Sequence, residues 1–217
     1  MARKVEEYVV IGLGRFGSSA ALKLVELGYS VLGIDRDRQP VQELATDLSQ
    51  TLALDATDED ALRAAGVDAF ETAIVAIGQD FESNVLITSI LKELGLRTVI
   101  CKALNQRQRQ VLLRVGADQV VLPEEEAGAR LAYQLRMPLV LDRLEIEPGV
   151  SVAELRCPDT FAGRTLRDLD LERRFGISVL ALKGLRMRIS PDDSQRLDKG
   201  DVLIVLGADA SIAKLHE

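Results

Sequence analysis

The sequence predicts an α/β fold, a doubly wound parallel sheet followed by a smaller α+β domain, on three observations. Between residues 7 and 136, short β-rich runs alternate with segments of helical length. Those runs are almost wholly apolar instead of alternating, the pattern of strands covered by helices on both faces. After residue 138 the rhythm changes to short strands joined by turns, with one helical stretch near Arg167 to Phe175.

The strand candidates are Tyr8 to Ile11, Val31 to Ile34, Thr51 to Leu54, Ala73 to Ile77, Thr98 to Cys101 and Gln119 to Leu122. The first helix between them carries Ala20, Ala21, Leu24, Val25 and Leu27 at helical spacing and closes at Gly28. Another carries Val85, Ile87, Ile90, Leu91 and Leu94 and ends at Gly95. Pro123 followed by Glu124, Glu125 and Glu126 marks a helix start, because proline suits the first turn and acids there complement the helix dipole. This helix runs to about Arg136, and Pro138 stops it. The domain change is placed there, giving a first domain over 1–137 that includes the crossover helix and a second over 138–217. In the tail, Val179 to Leu182, Arg186 to Ile189 and Val202 to Leu206 read as strands, with Lys199-Gly200-Asp201 as the turn before the last.

Composition narrows the function classes. The 217 residues, 47% hydrophobic, suffice for two modest cores. A net charge of −7 argues against a nucleic-acid binder, since phosphate-backbone affinity comes from clustered Lys and Arg. The longest apolar runs fall far short of the roughly 20 residues a membrane-spanning helix requires. The start, Met-Ala-Arg-Lys followed by Glu6 and Glu7, has no apolar export core, so a cytoplasmic location is expected. Cys101 and Cys157 lack metal-ligand or redox spacing and are expected to be structural.

The first strand runs directly into Gly12-Leu13-Gly14-Arg15-Phe16-Gly17, and a helix follows. In that frame Gly12 permits the tight turn, Gly14 lets backbone approach a pyrophosphate, and Gly17 lets helix and strand pack closely, with phosphate oxygens meeting the helix N-terminus. The next strand ends at Asp35, near the spacing at which a carboxylate accepts hydrogen bonds from ribose hydroxyls. Loop and acid together point to a Rossmann-type site for an adenine nucleotide. An acid at Asp35 also repels a ribose 2′-phosphate, although Arg36 and Arg38 lie beside it. Asp55-Ala56-Thr57 follows the third strand at the ligand-binding edge; it suits an adenine contact or an N-cap for a helix beginning near Asp58. The Gly78 to Asn84 segment after the fourth strand has the same two uses. Arg15, a long guanidinium inside the loop, is suited to bidentate phosphate contact.

A dehydrogenase needs proton-handling groups beside the nicotinamide. Here the only histidine is His216, next to the C-terminus, and none of Tyr8, Tyr29 or Tyr133 has a lysine four residues on. There is no Ser-His-Asp set, no metal-binding histidine cluster and no GxxxxGK[ST] loop. Binding without turnover is the simpler expectation; an NAD-dependent oxidoreductase is the alternative.

The Val9-to-Gly17 run, Asp35, Asp55-Ala56-Thr57, Ala76-Ile77-Gly78, Lys102-Ala103-Leu104-Asn105, Gly116-Ala117-Asp118 and Pro123-Glu124 resemble the N-terminal RCK domain of Trk/Ktr-type potassium uptake regulatory subunits. Leu166 to Gly176 and Leu197-Asp198-Lys199-Gly200-Asp201-Val202-Leu203 resemble the smaller C-terminal RCK domain. The resemblance implies a non-catalytic gating subunit, a dimer-based octameric ring beneath a potassium-translocating membrane protein. ATP and ADP are the implied opposing ligands, with NAD(H) bound by Trk-like relatives. By position, Gly12, Gly14 and Gly17 would hold phosphates, Asp35 the ribose, and Asp55 and Ala56 the adenine, with Leu13, Phe16, Arg36, Gly78 and Asn84 also expected among the nucleotide-binding residues. Arg15 would reach the terminal phosphate from a neighbouring subunit, and Lys102 would add a phosphate contact. Glu124 corresponds to an acidic position that helps bind Mg or Ca between paired subunits; a helix-start acid is the alternative. Some relatives bind cyclic di-AMP, but Glu172 stands where an arginine would face its phosphates, which counts against that ligand despite Arg173 and Arg174. An RCK regulator of another cation transporter is the remaining alternative.

Overall fold

The computed structural model describes residues 6–216; the Met-Ala-Arg-Lys start lies outside them. The first six strands are β1 (Glu7–Ile11), β2 (Ser30–Asp35), β3 (Gln50–Ala53), β4 (Thr72–Val75), β5 (Thr98–Lys102) and β6 (Gln119–Val121). Their connecting helices are α1 (Arg15–Glu26), α2 (Arg38–Glu43), α3 (Glu59–Ala64), α4 (Phe81–Glu93) and α5 (Gln106–Val115). The strands form one parallel sheet in the order β3-β2-β1-β4-β5-β6. Alternate residues of β1 serve opposite faces, Val9 and Ile11 packing with Ile34, Leu62, Val75 and Ile87, while Val10 packs with Leu13, Ala21, Val31 and Val41. Two covered faces explain why the strands read as continuous apolar runs. The strand order reverses between β1 and β4, and at such a switch point open α/β sheets bind their ligands.

The chain divides into two compact units between Glu126 and Ala127, within α6 (Pro123–Arg136). The division falls ahead of the boundary expected at 137/138. Beyond its first turn, α6 has its side-chain contacts in the second unit: Gln134 donates to the Leu141 carbonyl at 3.0 Å, and Tyr133 lies under the Arg143 guanidinium at 4.2 Å.

In the second unit β7 (Val140–Glu147) and β8 (Val150–Arg156) form a hairpin through Pro148-Gly149, followed by α7 (Leu166–Leu169), α8 (Leu171–Phe175), β9 (Ser178–Lys183), β10 (Met187–Ile189), β11 (Val202–Ala208) and α9 (Asp209–Ile212). Its antiparallel sheet has the order β10-β9-β11-β8-β7. Leu155, Leu182, Leu203 and Val205 form a core with Leu166, Leu169, Leu171, Ile212 and Leu215 from the short helices. The single helix expected from Arg167 to Phe175 is two. Asp170 adopts the left-handed conformation, φ 45°, and breaks the run, while Thr165 and Asp168 close a reciprocal capping box on α7.

Candidate nucleotide-binding site

Gly12 continues β1 by donating to the Ile34 carbonyl at 2.8 Å, then turns with φ 91°. A side chain there would press on Ile77, 3.0 Å from its position. Gly17, in the first turn of α1, lies so close to the loop that a Cβ would collide with the Gly12 carbonyl oxygen. Gly14 differs. It is the N-cap of α1, a Cβ on it would meet nothing within 4 Å, and no side chain caps the helix. By contrast α3, α4 and α5 are each capped by a side chain, from Asp58, Asp80 and Asn105. The N-terminus of α1 therefore offers uncapped amide donors, open space and no acidic residue in its first turn, which is the arrangement an anion requires.

Around this turn lies a cleft of about 260 Å³ walled by Gly12, Gly14, Asp35, Arg36, Asp55, Ala56, Ile77 and Gly78 among others. Residues distant in sequence meet here because every strand of the sheet ends at this edge. Asp35 is spoken for on both oxygens: Oδ2 accepts the Leu13 amide at 2.6 Å and Oδ1 the Asp37 amide at 2.9 Å. It thus braces the glycine loop as well as facing the cleft. Asp55 accepts the Thr57 amide and hydroxyl at 2.9 and 2.7 Å, bonds that hold its carboxyl below the usual carboxylate range. The cap of α3 is Asp58, which frees Asp55 from the capping use.

The cleft is also walled by Gln79, Asp80 and Ser83, which the sequence marks only as part of the Gly78 to Asn84 segment. Asp80 accepts the Ser83 hydroxyl at 2.7 Å and its amide at 3.1 Å, which lowers the Asp80 pKa, and Arg36 reaches the same carboxylate at 3.6 Å. An Asp three residues before a Ser at the head of an apolar-periodic helix is a cap signature that could have singled them out.

Seven predicted residues stand outside the walls: Gly17, packed against Gly12, and Leu13, Arg15, Phe16, Asn84, Lys102 and Glu124. The Leu13 side chain is buried in the core. Asn84 is buried, and its amide donates to the Ile77 carbonyl at 2.6 Å and the Lys102 carbonyl at 2.9 Å, tying the ends of β4 and β5 together. The structure does not bring its side chain to the cleft. Arg15 is exposed at the start of α1. Phe16 and Lys102 adjoin each other, the ammonium 5.8 Å from the ring centroid, and Lys102 pairs with Glu124 at 2.7 Å. That bond lowers the Glu124 pKa. Among the described residues no group of three or more His, Cys, Asp or Glu is placed to hold a metal within one chain. Cys101 and Cys157 are both buried, and burial pushes each thiol up to about 11, as structural cysteines require. No helix among the described residues is long and apolar enough to cross a membrane.

Comparison with known proteins matches residues 8–123 to the TrkA-N domain and residues 152–217 to the TrkA-C domain. Ktr system potassium uptake protein C of Bacillus subtilis (strain 168) is 38% identical over 213 residues, covering 98% of this chain and 96% of that protein. The chain belongs to the Ktr/Trk potassium uptake family. Ktr system potassium uptake protein A of Vibrio alginolyticus is 34% identical over 209 residues, covering 96% of this chain and 95% of the relative. Among solved structures the GsuK channel shares the fold with a TM-score of 0.70 at 18% identity, over 99% of this chain and 39% of that one. Both halves of this Ktr/Trk family chain are thus accounted for, in the order the sequence predicts.

Proposed function

We propose that this chain is a cytoplasmic, nucleotide-sensing gating subunit of a potassium uptake system. It binds no nucleic acid, carries out no turnover, and works as a homo-oligomer, a dimer-based octameric ring, against a membrane-embedded potassium-translocating partner. Membership of the Ktr/Trk family supports the transport role. The observation that carries the sensing role is the uncapped N-terminus of α1 opening on a cleft walled by Asp35 and Asp55. The site residues fit an adenine nucleotide. Amides of Gly14 to Gly17 would hold phosphates against the helix dipole, Asp35 the ribose, Asp55 and Ala56 the base. ATP and ADP are the favoured pair, with NAD(H) also accommodated.

A ligand shifts a ring between two shapes only by binding them with different affinity. Arg15, exposed beyond the cleft of its own chain, is suited to meet the terminal phosphate of a nucleotide held by a neighbouring copy. That contact exists for ATP and not for ADP. A Mg or Ca ion shared between the Glu124 carboxylates of paired subunits is compatible with this reading, and would draw on the carboxylate now paired with Lys102.

Equilibrium titration with ATP, ADP and NAD(H) tests the reading. Micromolar to low millimolar binding is expected, weakened about tenfold or more in Asp35→Ala, which also loses the loop brace. Small-angle scattering should show an ATP-versus-ADP difference in assembly shape that narrows in Arg15→Ala. Absence of binding by all three ligands, with Asp35→Ala inert, would overturn it.

A further inference from the structure

The hairpin of β9 and β10 carries groups that neither the nucleotide cleft nor the core of the second unit uses. Between Glu172 and Asp192 the chain has five basic residues and no acidic one, although its net charge is −7. Three of the five, Lys183, Arg186 and Arg188, stand exposed on the hairpin. With them are Leu185 at the turn, wholly in solvent, and Met187 and Ile189, 54% and 79% exposed. Among the described residues none of the three cations forms an ion pair, whereas Lys199 beside them holds Asp159 at 3.2 Å.

Strand pairing fixes where these side chains stand. Lys183 lies opposite Met187 on one side and Val202 of β11 on the other, and Val202 lies opposite Arg156 of β8. Directly opposed residues share a face, so this row occupies the face away from Leu182 and Leu203, which are buried in the core. Ile189, two residues from Met187, is on the same face. Arg188, opposite Leu182, flanks the core on the other, and Leu185 and Arg186 belong to the three-residue turn. Lys183, Arg186, Arg188 and Lys199 line a groove of about 680 Å³ at this end of the sheet, against only two acids, Asp198 and Asp201. Asp201 is already engaged, accepting the Asp198 amide at 2.9 Å.

Charges on a short edge strand also prevent edge-to-edge pairing, which accounts for the arginines and leaves Leu185, Met187 and Ile189 unexplained. A soluble phosphate would satisfy the cations and leave those aliphatic side chains in water. We propose that the β9–β10 hairpin docks on an anionic phospholipid surface. Leu185 enters the boundary between headgroups and acyl chains, while Lys183, Arg186 and Arg188 meet headgroup phosphates. A bilayer offers both chemistries side by side, and long basic side chains keep their charge among the headgroups while their stems lie along apolar surface. Pairing of β9 with β11 holds the hairpin formed before it docks, so little ordering cost attends the contact. The proposal goes beyond the gating reading and is independent of nucleotide binding.

Cosedimentation of the full chain with lipid vesicles tests it. Binding to vesicles of equal parts phosphatidylcholine and phosphatidylglycerol should exceed binding to phosphatidylcholine alone by about tenfold or more, and should fall as salt rises. Arg186→Glu with Arg188→Glu should weaken it about tenfold or more, while Arg107→Glu with Arg109→Glu, exposed on α5, should change it less than about twofold. The chain contains no tryptophan, so Leu185→Trp supplies a single reporter whose emission should move to shorter wavelength on the anionic vesicles. Absence of binding to anionic vesicles, as expected if the occupant is an acidic protein surface, overturns the proposal. So does undiminished binding by the double-glutamate variant, or an unshifted Leu185→Trp emission while binding persists. Displacement from the vesicles by inorganic phosphate would assign the groove to a soluble anion and overturn it as well.

Discussion

In the first unit, six parallel strands send every strand-to-helix loop to one edge, so polar residues from Asp35 to Ser83 surround an open cleft. In the second, a five-stranded antiparallel sheet brings polar residues of β7 and β8 together with the first residue of α9. Arg143 on β7 donates to Ser151 Oγ at 2.7 Å and to both Asp209 oxygens at 3.1 and 2.6 Å, and Ser151 Oγ also donates to Asp209 at 2.7 Å. Its other side is covered by the Tyr133 ring. The first unit leaves the donors of α1 without a side-chain cap; in the second, Arg143, Ser151 and Asp209 satisfy one another. The difference separates a region arranged to receive an anion from one arranged to hold its own strands together.

The largest expected effect that tests this contrast is Gly17→Val. The new side chain collides with the Gly12 carbonyl and forces apart β1 and α1, at a cost of about 3 kcal/mol or more. Hydrogen exchange should rise throughout β1 to β6 while β7 to β11 keep their protection. Equal loss in both would mean that the units unfold as one.

Next is Arg143→Met, which leaves Asp209 and the buried Ser151 without their shared donor. Because Asp209 keeps 24% exposure, a loss of about 2 kcal/mol is expected, less than for a fully buried pair. Urea unfolding reads it, and Arg143→Met combined with Asp209→Leu should recover part. Nucleotide affinity should stay within about twofold, since the clamp and the cleft walls belong to different compact units and share no residue. A large change in affinity would show that the second unit's clamp acts on the cleft.

The smallest effect is in acid. Hydrogen bonds from Ser83 lower the Asp80 pKa in the first unit, and bonds from Thr165 lower that of Asp168 in the second. A folded pKa below the unfolded value means stability that is present above the ordinary carboxylate value of 3.8 and lost as pH falls through the folded pKa. Carboxyl carbon NMR should find both titrating below 3.8. In the nucleotide complex Asp80, beside the cleft, should shift while Asp168 does not. Matching shifts at both would erase the distinction between the units.

Much of the first unit was legible in the residues. Strand β1, the glycine loop, α1 and Asp35 follow one another as a single pattern, because each glycine answers a local demand of turn or close approach. Strand β4 ends at Val75, two residues short of the Ala73-to-Ile77 apolar run, because apolar character continues into the cleft wall, where Ala76 still donates to the Ile11 carbonyl at 2.7 Å. Asn84, expected at the cleft, has its amide on the Ile77 and Lys102 carbonyls. A buried asparagine near a ligand edge looks the same in sequence whether its amide meets a ligand or, as here, two carbonyls. In the second unit, the strong β7–β8 hairpin was visible only as a change of rhythm, and Asp170 did not announce its left-handed conformation.

By itself the sequence determined the alternation of strands and helices, the doubly wound class, the phosphate loop and the family, because periodicity, glycine and capping chemistry are local and survive without neighbours. Only the tertiary structure decided that Asp35 braces the loop it serves, that Arg36 and Asp80 meet across the cleft, that Lys102 is held on Glu124, and that α6 passes to the second unit after its first turn. These depend on which strand ends lie side by side, and that order is set by packing between segments far apart in the chain.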